Sequence, residues 1–408
     1  MSELQRLTAA RKLLEDWILA GDYAGWDPFD ALRSPVLSAL TFGSRRLGQV
    51  WVQLLKRSPV NLRPLLRITP ANDATAMGLF LSGYLSKAQT TGSSVDLEHA
   101  GFFASWLAAN HIPRFHGYCW GFPFDWPNRE SIARIGTPTI VNTAFVGLSL
   151  LDASEVAAGW RGQDAPSMEP LLAGATLARS ACEFILADLN PGAEAESFCF
   201  WYTPSDSSRV HNANVLGASL LAKVGYRIGD SRLCEYALRA ARYTARHQGE
   251  NGEWLYGEAG KYRWVDSFHT GYVLVALKQI SRALAIKEFD DVLARGYRYW
   301  KGSFLQPNGC VSYYPNHRYP IDAHSLSQAI LTLIEFSDWD SQALEHAWRV
   351  ANWSILQMQD RLGFFYYQKM PLWTNKIPYN RWSQAWMFRA LTALEARLQP
   401  LDAPEIAV

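Results

Sequence analysis

The sequence predicts an all-α fold, an (α/α)6 toroid of six helical hairpins with long aromatic loops at one end. Three observations carry that prediction: a recurring segment plan, a regular spacing of helix starts, and a contrast between short and long links. The plan is plainest from Asn251 to Val273, NGEWLYGEAGKYRWVDSFHTGYV. There a glycine turn and alternating aromatics lead through a polar loop to Asp266 and His269, at the start of an apolar stretch. It recurs from Asn308 to Gln328 and from Leu362 to Ala385. Repetition at a period of tens of residues marks one supersecondary unit used many times.

Helix starts align on this plan. Pro70, Pro138, Pro320 and Pro378 fit a first helical turn, where the N–H that proline lacks would have no partner anyway. Four residues after them come Ala74, Asn142, His324 and Trp382; Asn212 and His269 fall in the same register in the two units without the proline. Successive spacings are 68, 70, 57, 55 and 58 residues, each room for one hairpin and a long loop.

Taken in order, residues 3–20 read as an extra N-terminal helix with interleaved charges, and 21–30 as a turn-rich break. Stretches 33–57, 95–110, 167–189, 230–247, 287–303 and 341–359 have apolar residues at helical spacing and one charged face, the pattern of an outer ring. Stretches 70–87, 138–152, 209–227, 266–284, 321–335 and 378–397 are apolar on most faces and rich in Gly, Ala and Ser, the pattern of an inner ring. Inner-to-outer links are short. Outer-to-inner links (111–137, 190–208, 248–265, 304–320 and 360–377) are long, so they gather above the N-termini of the inner helices. Long loops in a compact domain usually carry function. Helix N-termini add free N–H groups and a positive dipole end, suited to oxygen-rich ligands. The expected organisation is one toroid domain over 1–408.

Composition fits one large core: 49% of the 408 residues are hydrophobic and 19% charged. A net charge of +1 gives no overall pull toward nucleic acid or an acidic membrane. No apolar run reaches the length of a membrane span, and the N-terminal stretch has no secretory apolar region, so a cytoplasmic location is expected. The five cysteines lack C-x-x-C spacing and suit buried thiols in a reducing compartment. No P-loop, G-x-S-x-G, H-E-x-x-H or dinucleotide fingerprint is present, so neither metal nor cofactor is expected.

The 111–137 loop, HIPRFHGYCWGFPFDWPNRESIARIGT, gathers Trp120, Phe122, Phe124 and Trp126 about Asp125, with His116 and Arg129 close by. Aromatic faces beside a carboxylate and a guanidinium are the chemistry of a sugar subsite; the same aromatics would equally serve as the loop's own core. Asp266 and Asp322 stand where an N-cap aspartate accepts bonds from first-turn N–H groups. For Asp266, the nearby His269 adds a functional reading. Asn142, Asn212, His269 and His324, with His211 adjacent, hold one register and so face a common cavity or cap neighbouring loops. Glu258, in the turn after Trp254 and Tyr256, is a better-placed acid than Glu253, though surface solvation accounts for either. Arg381 and Trp382 open the last inner helix and suit an anionic or hydroxylated ligand; alternatively Arg381 neutralises a loop carboxylate. The candidate catalytic residues are therefore Asp125, Asp266, Glu258 and His269. The candidate ligand-binding residues are His116, Trp120, Trp126, Arg129, Asn142, His211, Asn212, Tyr256, His324, Arg381 and Trp382.

The segments GFPFDW (121–126), TPTIVNTAFVG (137–147), VHNANVLGASLL (210–221), WVDSFHTGYVLVALK (264–278), YPIDAHSLSQAI (319–330) and IPYNRWSQAWM (377–387) together resemble a bacterial family. Its members are cytoplasmic proteins of exopolysaccharide gene clusters, similar to the six-hairpin glycosidase-like (α/α)6 superfamily. The resemblance covers roughly 60–397. It implies the toroid, a carbohydrate role and polysaccharide-assembly proteins as partners, and transfers no catalytic residue.

Three functions are open on these grounds. A glycoside hydrolase acting on an oligosaccharide or lipid-linked glycan needs a proton donor and a second carboxylate, for which Asp125 and Asp266 are the first choice and Glu258 the reserve. A sugar epimerase (of a uronate or acylhexosamine) or a polysaccharide lyase would use His269 and His324, or a tyrosine, as base and acid, with Arg381 or Arg129 holding a carboxylate. A glycan-binding assembly protein would use the aromatics alone. The hydrolase is the leading expectation, and fold alone does not choose.

Overall fold

The computed structural model describes residues 2–129, 131–160, 167–189 and 196–399. Its helices are α1 (Glu3–Ala20), α2 (Pro35–Ala39), α3 (Arg45–Arg57), α4 (Ala74–Thr91), α5 (Ser94–Ala109), α6 (Ile140–Gly159), α7 (Glu169–Leu172) and α8 (Gly174–Asp188). They continue as α9 (His211–Ile228), α10 (Ser231–Arg246), α11 (Ser267–Ala283), α12 (Asp290–Phe304), α13 (Ala323–Glu335), α14 (Ala343–Met358) and α15 (Trp386–Leu398). A π-helical turn at Asn380–Ala385 leads into α15. Strands are short: Trp126–Pro127 pairs with Ile132–Ala133, and Gln368–Lys369 lies between Ile321–Asp322 and Thr374–Asn375.

Each of α4, α6, α9, α11, α13 and α15 packs on the next, and α15 returns to α4, which closes an inner ring. Small residues permit the close approach. A Cβ on Gly147 of α6 would lie 2.6 Å from Leu220 of α9, and one on Gly83 of α4 would lie 2.5 Å from Phe388 of α15. Outside the ring, α5, α8, α10, α12 and α14 back the first five inner helices in turn. This is the (α/α)6 toroid that the repeats predict.

Two elements differ from the sequence reading. The N-terminal α1 packs along α15 and touches α14, so it takes the outer place in the sixth hairpin instead of standing apart. It buries Leu7, Leu14 and Ile18, and Arg11 reaches Glu395 of α15 at 2.6 Å. Lys87 of α4 joins Glu15 at 2.5 Å and Asp96 at 2.8 Å, tying α1 to the first hairpin. The stretch 33–57, expected as an outer helix, is broken. Ser34 caps α2, Gly43 adopts a positive φ of 74°, and Ser44 caps α3. These pieces form a cap with its own small core of Ala31, Leu37, Val52, Leu55 and Ile68.

The prolines are also placed differently. Asp73, Thr139, Asp266 and Asp322 are the N-caps of α4, α6, α11 and α13, each accepting bonds from first-turn N–H groups. Pro70, Pro138 and Pro320 therefore precede the caps, ending loops where their fixed φ and lost donor cost nothing. Against expectation, α6 and the 169–188 stretch are long and apolar enough to cross a membrane. Most of the first and half of the second are buried in the protein, as helices of a packed ring are.

Candidate active site

The long loops and the N-termini of the inner helices enclose a cavity of about 1110 Å³. Every unit contributes at the shared register or next to it. Asn142, Asn212, His269, His324 and Trp382 line the cavity, with Thr75 in place of Ala74. Around them stand Trp126, Tyr202, Tyr256, Trp264, Phe268, Tyr272 and Tyr313. The cap supplies Gln49, Lys56 and Arg57 from α3. Aromatic walls with hydroxyl, amide and cationic groups suit a polyhydroxylated ligand.

Two histidines face this space beside Phe268, whose ring centre is 4.0 Å from that of His269 and 4.7 Å from that of His324. Behind His269 lies the buried Asp266. Its Oδ1 accepts the His269 backbone N–H at 2.9 Å, and its Oδ2 accepts both the Trp264 indole N–H (2.9 Å) and His269 Nδ1–H (2.6 Å). Holding the proton on Nδ1 leaves the Nε2 lone pair for the cavity, the arrangement of an oriented general base.

His324 is arranged differently. Burial pushes it well below its ordinary pKa, helped first by the Arg381 guanidinium and then by the nearness of His269, so it is neutral at physiological pH. Its Nε2 bonds the Tyr272 hydroxyl, and its buried Nδ1 has no hydrogen-bond partner among the described residues. A bare lone pair at Nδ1 costs less than an unpaired buried N–H, which favours the proton on Nε2, donated to the Tyr272 oxygen. The phenol proton is then available to the cavity. Burial raises Tyr272 well above the usual phenol value, so it stays protonated. Asp322 holds this side by accepting from His324 N–H (2.8 Å), the Trp382 indole (3.0 Å) and Gln368 (2.6 Å). Burial pushes its carboxyl up to about 6, against those hydrogen bonds.

Charge on the cavity wall is one-sided. Among the described residues, Asp206 is the only carboxylate that lines it, and both oxygens are engaged, by Ser208 and by Asn128. Against it stand Lys56, Arg57, Arg129 and Arg381. Arg381 is neutralised by Asp27 at 2.7 Å, as the neutralising alternative foresees, although with a carboxylate of the 21–30 break. The Lys56 ammonium lies over Phe29 (4.5 Å) and Trp382 (5.6 Å). Removal from water pushes its pKa down to about 8, partly offset by Asp322 and Asp27. Arg129 lies over the Trp264 ring at 4.4 Å.

Several sequence candidates fall elsewhere. Asp125 turns away to bind Arg134 (2.6 Å) and the Ile135 N–H (2.7 Å), which fastens its own loop. Glu258 is held by Arg209 (3.3 Å) and the Tyr243 hydroxyl, outside the cavity. His116 pairs with Asp188 at 2.9 Å on the exterior. Trp120 is fully buried, donating its indole N–H to Leu107 O at 3.0 Å. His211 lies against His247, ring centres 5.1 Å apart, and burial pushes it down to about 4. Lys56, Arg57, Asp206 and Trp264 were not singled out from the sequence. Trp264 had the one local signal, two residues before Asp266.

No protein-family model matches the chain, and no curated protein sequence does. Solved structures do. A cellobiose 2-epimerase from Bacillus thermoamylovorans is similar at a TM-score of 0.61 and 10% identity, over 79% of this chain and 87% of that one. A sugar epimerase from a ruminal bacterium is similar at 0.59 and 12%, over 81% and 89%. A GH76 α-mannanase from Bacteroides thetaiotaomicron is similar at 0.57 and 11%, over 80% and 88%. At such identities the likeness establishes the shared (α/α)6 toroid.

Proposed function

We propose that the protein is a sugar epimerase or isomerase that moves a proton at a carbon next to a carbonyl, in the cytoplasmic supply of precursors for a bacterial polysaccharide. One observation carries this reading. An Asp266-oriented His269 and a Tyr272–His324 pair reach the same cavity, whose wall has no pair of free carboxylates among the described residues. In the open-chain sugar, His269 Nε2 takes the proton from carbon, and the C–H electrons pass into the carbonyl to give an enediolate. The Tyr272 hydroxyl donates to that oxygen, with His324 Nε2–H supporting the phenolate side. Return of a proton to the other face, or to the neighbouring carbon, gives the epimer or the isomer. Trp126, Trp264 and Tyr256 offer the stacking faces, and Asn142 and Asn212 the amides for hydroxyl groups. The cationic rim favours a sugar that carries a carboxylate or an acylamino group, so hexuronates and acylhexosamines are the first substrates to try.

The hydrolase expectation required two carboxylates about the scissile bond. Asp125 and Glu258 face away, Asp266 is engaged behind His269, and Asp206 has both oxygens bonded. The test is incubation in deuterium oxide with hexoses, acylhexosamines and hexuronates, followed by proton NMR. Deuterium at the carbon next to the carbonyl, together with a second sugar, is the expected result. New reducing ends from an oligosaccharide without deuterium uptake would overturn it in favour of hydrolysis. Binding without either reaction would make the protein a glycan-binding module.

A further inference from the structure

The overall charge of +1 conceals a strong asymmetry. Residues 31–72 contain seven Lys and Arg and no Asp or Glu, which leaves 32 cations against 38 acids in the rest of the chain. This is the cap that carries α2 and α3. Its helix α3 has three working faces. Val52 and Leu55 enter the small core, while Gln49 and Lys56 line the cavity. The third face, set by helical spacing, carries Leu47, Val50 and Leu54 with Arg46, Gln53 and Arg57, and all six are exposed. The turns on either side of α3 are also apolar at their surface, where Phe42 is 83% and Leu65 82% exposed. Next to the end of α3 stands the 368–375 hairpin, whose tip exposes Leu372 and Trp373 and which Asn375 fastens to the carbonyls of Lys56 and Ser58. Arg46, Arg57 and Arg67 are exposed and make no ion pair among the described residues.

We infer that the α2–α3 cap docks on an anionic lipid bilayer and sets the cavity mouth against it. An exposed apolar stripe flanked by cations, on a helix about 20 Å long, is the composition of an interfacial amphipathic helix. The apolar side chains enter the headgroup boundary, and the arginines meet lipid phosphates. A second copy is a poor occupant. A two-fold contact through this face would set cations against cations with no carboxylate to answer them. The cap also borders the mouth through Lys56, Arg57 and Trp373, so a docked protein would meet its ligand at the lipid surface. This inference does not depend on which reaction the cavity performs.

The test is co-sedimentation of the whole protein with two vesicle types, phosphatidylcholine alone and phosphatidylcholine doped with phosphatidylglycerol. Binding to the doped vesicles only, weakening as salt is raised, is the expected result. Arg46→Ala should lower the partition coefficient about fivefold, the effect of one surface cation. Leu54→Ser with Val50→Ser should lower it at least tenfold while leaving the melting temperature in solution unchanged. No sedimentation with either vesicle would overturn the inference, as would equal binding to both. A stable dimer that those same serine substitutions dissolve would also overturn it, by assigning the face to a second copy.

Discussion

Replacing Asp266 by Asn tests the proposed base most sharply, because the carboxylate has two separable duties. Oδ1 caps α11 through the His269 N–H, and Oδ2 takes two donors, the Trp264 indole and His269 Nδ1–H. Asn offers one oxygen and one NH2 group, so it can serve only one of these sides. With its oxygen on the cap, its NH2 faces two donors. His269 must then give up the Nδ1 proton and protonate Nε2, and the Trp264 N–H loses its acceptor. With its oxygen on the imidazole, the cap bond is lost instead. Either way about one buried donor is left unpaired, a stability loss of about 1–3 kcal/mol that the fold should survive. The effect on chemistry should be larger. Turning the imidazole to the wrong tautomer removes the lone pair that faces the cavity, worth about 10²- to 10⁴-fold in rate. The assay is deuterium wash-in at the carbon next to the carbonyl, read alongside a denaturant melt. Exchange within about threefold of wild type, in a folded Asp266→Asn protein, would refute the assignment of His269 as the oriented base.

Three further outcomes follow from the same structure. As pH rises through about 8, Lys56 loses its charge, so KM for a hexuronate should rise several-fold in wild type and stay flat in Lys56→Arg. A flat wild-type profile from pH 7 to 9 would remove Lys56 from substrate binding. His211 is pushed from 6.5 down to about 4 by burial, so the unfolded chain binds more protons there. Its contribution is complete above pH 6.5 and is lost as pH falls toward 4, by up to about 3 kcal/mol. His211→Asn should lose correspondingly less stability than wild type between pH 7 and 4.5 in urea melts; equal losses would contradict this. Leu14 of α1 is fully buried, so Leu14→Ala should cost about 2–5 kcal/mol. A cost under about 1 kcal/mol would mean that α1 is dispensable to the ring.

The ring was legible because its cause is local and repeated. Each inner helix needs small residues for close packing and a polar residue at its start, and both patterns recur with even spacing along the chain. Which helix completes the sixth hairpin was not legible. Here α1 packs on α15 from the far end of the chain, and no period read along the sequence pairs the first helix with the last. The cap was misread for a related reason. In α3 the apolar spacing that points Val52 and Leu55 into a small core is the same spacing that would mark an outer helix. Among the site residues, those set by helix register came together in the cavity, because register fixes direction. Asp125, Glu258 and His116 were chosen by their neighbours in loops, where sequence adjacency says nothing about which way a side chain faces. Arg134, Arg209 and Asp188 draw them outward.

The capping and functional readings of the aspartates are joint consequences of one carboxylate having two oxygens. Asp266 spends one oxygen on the helix start and one on an imidazole; Asp322 spends one on the His324 N–H and the Trp382 indole and the other on Gln368. Thr139 does a smaller version, capping α6 and donating its hydroxyl to Asn142 at 2.6 Å. In these three hairpins the cap satisfies the helix start, and the residue it holds, three positions on in α6 and α11, two in α13, lines the cavity. That residue can change from Asn to His while the cap keeps the helix start intact. A toroid built this way can alter the chemistry of its cavity one register position at a time without weakening the ring. The cavity histidines, at 269 and 324, stand in successive hairpins, and the His269 ring centre lies 6.2 Å from that of Tyr272, the partner of His324, a separation that the proposed proton transfer on one sugar requires.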